Sequence, residues 1–447
     1  MSLQIVFARM PTVVVGLLLL QKSMQSSNRS IGFGELEKDM AGNSRTGKRH
    51  KTSHVVEDVA SLSDFPDEIL HHVLSFVDTK SAVRTGLLSK RWTSLWKDVP
   101  VLNFVPKSFL TLASFRKHVY RLLSFRSHRT PVRDVNFDVC GYTRNETGGH
   151  IRKTIGQIMK YASSHSGGGL DHLSITGDSK NLCFSYFADD ISTGSHHASL
   201  KSMKLEECIL WCVQFDDPVY KSSTTLGFKL LTTLELRKCN LSSFCPMGPF
   251  DLIGDLPYLK HLKLLHCYVE WLIISGPQLL DLEIEFLENN CSYEVIAPKL
   301  KSLRLWGERM GEPIDEHISK ELSLPALDDA NICLKWHNPH CWESDTYLEE
   351  QNRAFMNYLG GLHNVESLNL CFDKEGDEDW EEHHFPLNRI KSIVEHQAPP
   401  FTRLKTLRIQ CAHQQRPPNV PYQVLRYFLE GSPNAEDKFV KLEMLAD

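Results

Sequence analysis

The chain has 447 residues, 41% of them hydrophobic and 23% charged, ordinary globular proportions that suffice for two or three domains and a large core. Its 50 basic and 55 acidic residues leave a formal net charge of −5, which excludes a dominant electrostatic attraction to nucleic acid. The 12 cysteines include no Cys-x-x-Cys pair and no alternating Cys/His array, so neither a zinc finger nor a thioredoxin-type centre is indicated and reduced, buried thiols are expected.

The chain opens on an apolar run, Val13-Val14-Val15-Gly16-Leu17-Leu18-Leu19-Leu20 behind Arg9, which has the form of a secretory signal core and is too short to span a bilayer. Residues 21–60 are rich in Ser, Lys, Gly and Asp, lack apolar periodicity and read as flexible, with Lys48-Arg49-His50-Lys51 as a solvated basic linker. Residues 1–60 are therefore expected to be a variable, disordered extension, with 1–39 a variable or mis-annotated stretch and Met40 as the functional start.

At residues 61–104 the pattern changes. Leu62, Ile69, Leu70, Val73, Leu74 and Val77 recur every three or four residues, the stripe of an amphipathic helix, with Asp64 as the predicted cap and Pro66 in the first turn, where a missing N–H is tolerated. Asp78-Thr79 breaks this helix and caps a second one carrying Ala82, Val83 and Leu87; Ser89 opens a third with Trp92, Leu95 and Trp96. A segment of about forty residues cannot bury two tryptophans and so many aliphatics alone, so part of this surface is predicted to face another protein.

Phe65-Pro66-Asp67-Glu68-Ile69-Leu70, Val73-Leu74-Ser75-Phe76, Leu88-Ser89-Lys90-Arg91-Trp92 and Trp96 together resemble the F-box motif nearly end to end. Phe65 stands where leucine is usual before the proline, and Leu88 where valine often precedes Ser-Lys-Arg-Trp. The resemblance implies binding to the small Skp-type adaptor and through it to a cullin, within an SCF-type cullin-RING ubiquitin ligase whose substrate the rest of the chain selects. It assigns Leu62, Pro66, Ile69, Leu70, Leu74, Val83, Leu87, Trp92 and Trp96 to forming or supporting the adaptor-binding surface. It implies no catalytic residue, metal or cofactor here, because ubiquitin chemistry would occur on other subunits. Nucleus or cytoplasm is the expected compartment, with no nucleic-acid or membrane partner.

Residues 105–130 read as a helical connector carrying Phe109, Leu110, Leu112, Phe115, Val119, Leu122 and Leu123. From 131 to 412 the chain repeats itself. Leu200-x-x-Met203-x-Leu205-x-x-Cys208, Leu231-x-x-Leu234-x-Leu236-x-x-Cys239 and Leu259-x-x-Leu262-x-Leu264-x-x-Cys267 are one template, with looser copies at Val132, Leu170, Leu279, Leu300, Val365 and Leu404. From Val132 to Leu300 the starts advance by 38, 30, 31, 28, 20 and 21 residues, and the lost register between 300 and 365 is expected to hide one degenerate repeat near Leu322–Leu334. Each template is a short strand with two side chains inward, its cysteine a packed small side chain; one repeat cannot bury its own face, but a stack can. The pattern resembles plant F-box proteins with degenerate leucine-rich repeats. The expected fold class is α/β, a three-helix F-box followed by a solenoid of parallel strands joined by helices or loops.

Alternation sends Ser202, Lys204 and Glu206; Thr233, Glu235 and Arg237; His261, Lys263 and Leu265; Asp281, Glu283 and Glu285; and Ser302, Arg304 and Trp306 to the open sheet face. An acidic row beside an exposed Arg and Trp has the composition of an interface anchor, so Asp281, Glu283, Glu285, Arg304 and Trp306 are the predicted binding patch for an unidentified protein substrate. Residues 413–447, with Tyr422, Val424, Leu425, Phe428 and Leu429 on a closing helix stopped at Gly431-Ser432-Pro433, are expected to cap the last coil and partly resemble the FBD region of plant F-box proteins.

Two other readings have weaker support. A secreted or membrane-associated repeat receptor is motivated by residues 13–20 and by sequons at Asn28, Asn145, Asn240 and Asn290. A repeat-scaffold enzyme would use His337, His340 and Cys341, which lack a fourth metal ligand. Neither accounts for residues 61–104.

Overall fold

The computed structural model describes residues 65–139, 153–162, 169–177, 200–208, 228, 230–241, 250–254, 256–269, 271–286, 292–310, 320–337, 345–375, 385–412, 419–432 and 440–444. These fall into two compact units, residues 1–175 and 176–447.

The first unit opens with α1 (Asp67–Leu74), which has Pro66 at its N-cap and buries Leu70, Val73 and Leu74 on one stripe. Asp64, the predicted cap, lies outside the described residues. The Asp78 carboxylate caps α2 (Thr79–Arg84) by accepting from Ser81 N at 3.0 Å, as its position after the helix break predicts. The third helix, α3 (Trp92–Leu95), starts later than expected: Arg91, not Ser89, precedes it, and a single turn follows from 96 to 98. The Arg91 side chain reaches back to the Asp67 carboxylate and to the Phe65 carbonyl (2.6 Å), so the two ends of the motif are tied to each other.

The strands begin one coil earlier than the repeats suggest. β1 (Val101–Phe104) pairs in parallel with β2 (Asp134–Asp138), and β3 (His172–Thr176) follows in the order β1-β2-β3. Val99-x-x-Leu102-x-Phe104 is itself a copy of the template, with all three side chains at most 3% exposed. Residues 112–125 are therefore the helix of the first coil as well as a connector. This helix, α4 (Leu112–Phe125), is held at its start by a reciprocal Thr111–Ser114 capping box and buries Phe115, His118, Val119, Leu122 and Leu123. Phe115 packs edge-on against Phe104 and Phe137, which stack on each other at 5.1 Å. Residues 153–162 form the next helix, α5, burying Ile155, Ile158, Met159 and Ala162. The Asn103 amide donates to Ser75 O (2.7 Å) and Val77 O (3.0 Å), so the first strand also satisfies the carbonyls around the end of α1.

The second unit carries β4 (Ser202–Glu206), β5 (Thr233–Arg237), β6 (Phe250–Asp251), β7 (His261–Cys267), β8 (Trp271–Ser275), β9 (Asp281–Phe286) and β10 (Ser292–Ile296). After these come β11 (Ser302–Met310), β12 (Lys320–Ser323), β13 (Asp329–His337), β14 (Ser367–Glu375), β15 (Thr406–Cys411) and β16 (Val440–Met444). All pairings between them are parallel, in the order β4-β5-β7-β9-β11-β13-β14-β15-β16. This is the predicted stack of repeats, with Met203, Leu205, Leu234, Leu236, Leu262, Leu264, Leu282, Ile284, Leu303 and Leu305 all at most 3% exposed beneath it. The degenerate repeat expected between 300 and 365 is β13, where Leu327, Ala330 and Ile332 take the template positions.

A second parallel sheet, β12-β10-β8-β6, is the main feature the repeats did not foretell. Leu272, Ile274, Tyr293 and Val295 point into the core from it at 0–1% exposure. It accounts for the uneven repeat lengths. A strand advances about 3.3 Å per residue and a helix about 1.5 Å, so a coil that returns in extended form closes in fewer residues. The 20- and 21-residue spacings from Leu259 to Leu300 coincide with β8 and β10 as return segments. Longer coils use α6 (Asp345–Gly360), then α7 (Pro386–Arg389) with α8 (Lys391–Val394). The closing helix, α9 (Tyr422–Leu429), buries Val424 and Phe428 of the residues named for it, together with Tyr427, whereas Tyr422 is 75% exposed; the chain then adds β16 beside β15. The Ser432 hydroxyl donates to Phe401 O at 2.7 Å and accepts from Leu404 N at 3.1 Å, fastening the end of α9 to the preceding coil.

The cysteine of the template owes its inward direction to a repeated kink. Glu207, Lys238 and His266 have φ of 53°, 50° and 53°, and Gly307 has 75°, at one position of four coils. Such a left-handed residue costs a non-glycine roughly 1–2 kcal/mol. Inserted after Glu206, Arg237 and Leu265, it resets the alternation, so that Cys208, Cys239 and Cys267 turn into the core instead of outward.

Candidate functional site

In the first unit, the predicted adaptor-binding residues divide by burial. Leu70, Leu74, Val83, Trp92 and Trp96 are 0–7% exposed and form the core of the helical segment itself. Their side chains hold the helices together and do not present a surface. Pro66 is exposed, Ile69 half-buried and Leu87 40% exposed, so these three face outward. Leu62 lies outside the described residues. Two outward apolar residues were missed: Phe76, 63% exposed with its ring edge-on to His72 at 5.0 Å, and Leu88, 43% exposed. Their signal was present in the chain, since Phe76 follows the last turn of α1 and Leu87-Leu88 is an apolar pair that no single stripe can bury. Large apolar side chains gathered on one small helical unit, on a base locked by Arg91 and Asp67, suit association with another protein.

In the second unit, the residues of the predicted substrate patch lie on two adjoining strands of a face that carries both signs of charge. The strand register sets Arg304 opposite Glu283 and Trp306 opposite Glu285. Every carboxylate of the acidic row has a cationic or imidazole neighbour on an adjoining coil: Asp281 with His261 Nδ1 at 2.5 Å, Glu283 with Lys263 at 2.7 Å and Arg304 at 3.8 Å, Glu285 with His266 at 3.4 Å. Lys204–Glu235 (2.9 Å) extends the same alternation across coils, and Arg237 approaches Glu235 (3.9 Å) along the same strand. The row is thus the negative part of a cross-coil ladder and not an open acidic patch. Trp306 is half-buried, and Leu265, predicted to be exposed, is only 7% exposed. Solvent-exposed pairs of this kind hold their partners weakly, so a competing ligand can open them.

The template cysteines form a further constellation. Cys208, Cys239 and Cys267 carry buried thiols, 0%, 1% and 7% exposed, on successive coils. Each thiol donates to backbone carbonyls, Cys239 Sγ to Leu205 O at 3.4 Å and Cys267 Sγ to Leu236 O at 3.3 Å on the preceding strand, and Cys333 and Cys371 are register partners further along the stack. Among the described residues no three His, Cys, Asp or Glu side chains are grouped to hold a metal ion, and no described helix is long and apolar enough to cross a membrane. His340 and Cys341 fall outside the described residues.

Comparison with known proteins adds to this geometry. The F-box domain family matches residues 62–104. F-box/LRR-repeat protein 25 of Arabidopsis thaliana is 32% identical over 258 residues, 55% of this chain and 85% of that protein. A second F-box/LRR-repeat protein of Arabidopsis thaliana is 27% identical over 343 residues, 73% of this chain and 63% of the relative. An F-box/FBD/LRR-repeat protein of the same plant is 26% identical over 392 residues, 79% of this chain and 68% of the relative.

Proposed function

This chain belongs to the family of F-box/LRR-repeat proteins, and from that premise we propose that it is a non-catalytic substrate receptor of an SCF-type cullin-RING ubiquitin ligase. The helical segment docks a Skp-type adaptor, and through it a cullin, while the strand face of the repeats holds the protein to be modified. Recruitment of this kind accelerates transfer by raising the local concentration of substrate, and asks no acid, base or nucleophile of the receptor. The observation that carries the reading is the apolar surface of Pro66, Ile69, Phe76, Leu87 and Leu88 on a motif that already buries Leu70, Leu74, Trp92, Leu95 and Trp96. Nucleus or cytoplasm follows as the working compartment, and a fluorescent fusion confined to the secretory pathway would overturn that part.

The adaptor is expected to co-purify with the wild-type chain and to be lost from Ile69→Asp/Leu87→Asp, with a decrease in affinity of at least 100-fold, or about 2.7 kcal/mol. Both positions are at least partly exposed, so the variant chain is expected to stay folded by circular dichroism. Undiminished capture would reject the docking assignment. For the repeat face, Arg304→Ala/Trp306→Ala is expected to weaken substrate capture about tenfold or more, since Arg and Trp anchors commonly contribute 1–2 kcal/mol or above. Substrate pull-down unchanged by this variant would move the site to another part of the face.

A further inference from the structure

The two surfaces proposed for docking leave the thiols of the repeat core without a role. Cys208 O accepts from Asn240 N at 3.0 Å and Cys239 O from Tyr268 N at 2.9 Å, so the three cysteines stand on successive rungs of one parallel ladder. Parallel strands lie ~4.8 Å apart, inside the Cα separation of about 4.4–6.8 Å that a disulfide spans. The register puts Cys239 between Cys208 and Cys267, and the Cys239 and Cys267 thiols each donate back to the preceding strand, to Leu205 O at 3.4 Å and Leu236 O at 3.3 Å. Hydrogen bonds with Cys208 and Cys267 draw the Cys239 thiol below its ordinary pKa, which favours the nucleophilic thiolate at the centre of the three.

We propose that Cys208, Cys239 and Cys267 are a site of reversible oxidation by hydroperoxides, in which Cys239 forms a disulfide with one of its two neighbours. A thiolate of the stack attacks a peroxide oxygen, giving a sulfenic acid and releasing one water after protonation of the departing hydroxide. The adjacent thiol then displaces the sulfenic hydroxyl as a second water. In sum two thiols and one hydrogen peroxide give one disulfide and two waters, the sulfurs losing the two electrons that the peroxide gains. Because Cys208 and Cys267 are separated by Cys239, every product contains Cys239. Neighbouring parallel rungs hold their Cβ atoms slightly farther apart than a relaxed disulfide, so the bond is strained and readily reduced. The cross-link ties together coils whose outer faces carry Lys204, Glu235 and Lys263, and so stiffens part of the recognition face.

The test treats the folded, fully reduced full-length chain with hydrogen peroxide, blocks remaining thiols under denaturing conditions and maps peptides without reduction. The expected result is a mass loss of about 2 Da in the peptides joined through Cys239, to Cys208 or to Cys267, restored by dithiothreitol. Cys239→Ser is expected to abolish both links. Cys208→Ser retains the 239–267 link and serves if Cys239→Ser fails to fold. Cys411, buried without a thiol neighbour among the described residues, is expected to stay unlinked. The proposal is overturned by cross-links that avoid Cys239, by a 208–267 link in Cys239→Ser, or by reduced thiols throughout the stack after peroxide treatment.

Discussion

Trp92→Ala is expected to unfold the F-box helices, whereas Leu87→Asp is expected to leave them folded and remove only adaptor binding. Trp92 is 1% exposed and among the largest fully buried side chains of the chain. Truncating such a residue removes both its transfer free energy and its packing, a loss of about 3–5 kcal/mol. Domain stabilities are about 5–15 kcal/mol, so most of the local reserve disappears. The damage should extend past the motif, because Asn103 on β1 fastens the end of α1 and Ser127 N donates to Lys97 O at 3.2 Å. Leu87 is 40% exposed, and a surface change there should shift stability by about 0.5 kcal/mol or little more. Hydrogen exchange of the full chain separates the two outcomes: protection across 67–125 is lost in Trp92→Ala and kept in Leu87→Asp. If Trp92→Ala retained full protection, the division between supporting and docking residues would be wrong.

Acid is expected to loosen α4 well before carboxylates titrate, through His118. This side chain is 7% exposed, with Nε2 at 3.4 Å from Thr79 Oγ1 and its ring 5.0 Å from that of Phe109. Burial first, and the Lys80 ammonium second, push its pKa down to about 3. Lys80 is itself held over the Phe109 ring at 4.6 Å and donates to Ser108 O, so the neighbouring cation is fixed in place. Above an unfolded-state pKa of about 6.5 both states carry a neutral imidazole and the full stability is present. Below it the unfolded chain gains a proton that the folded chain refuses, and stability falls by about 1.4 kcal/mol per pH unit until the folded pKa is reached. Exchange protection of peptides from 112–125, corrected for intrinsic rates, should therefore drop about tenfold for each unit between pH 6.5 and 5. His118→Leu should flatten that slope; an unaltered slope would exclude the imidazole as its cause.

The helices of the motif were readable because their signals are local. Three- and four-residue spacing, Pro66 at a helix start and Asp78 at a cap act within one or two turns and do not depend on distant contacts. The strand template was readable for a similar reason, since two inward leucines separated by one residue have a single way to be buried in a stack. The template at Val99 escaped notice because its strand lies inside the span that the F-box motif already explained, and Phe104 replaces the usual leucine. The return strands escaped because Trp271-Leu272-Ile273-Ile274-Ser275 and Ser292-Tyr293-Glu294-Val295-Ile296 carry only short alternations, whose burial is decided by the coils above and below.

The linear order of residues by itself determined that three short helices precede a parallel stack, where its repeats start, and which side chains alternate outward. These depend on periodicity, which is a property of neighbours along the chain. Only the tertiary structure decided that Leu70, Trp92 and Trp96 are core while Phe76, Leu87 and Leu88 are surface, since a stripe states which residues share a face but not what covers it. Likewise only packing decided that the acidic row is matched by His261, Lys263, His266 and Arg304, and that three cysteines about thirty residues apart lie side by side, because stacking coils brings distant positions onto adjacent rungs of one ladder.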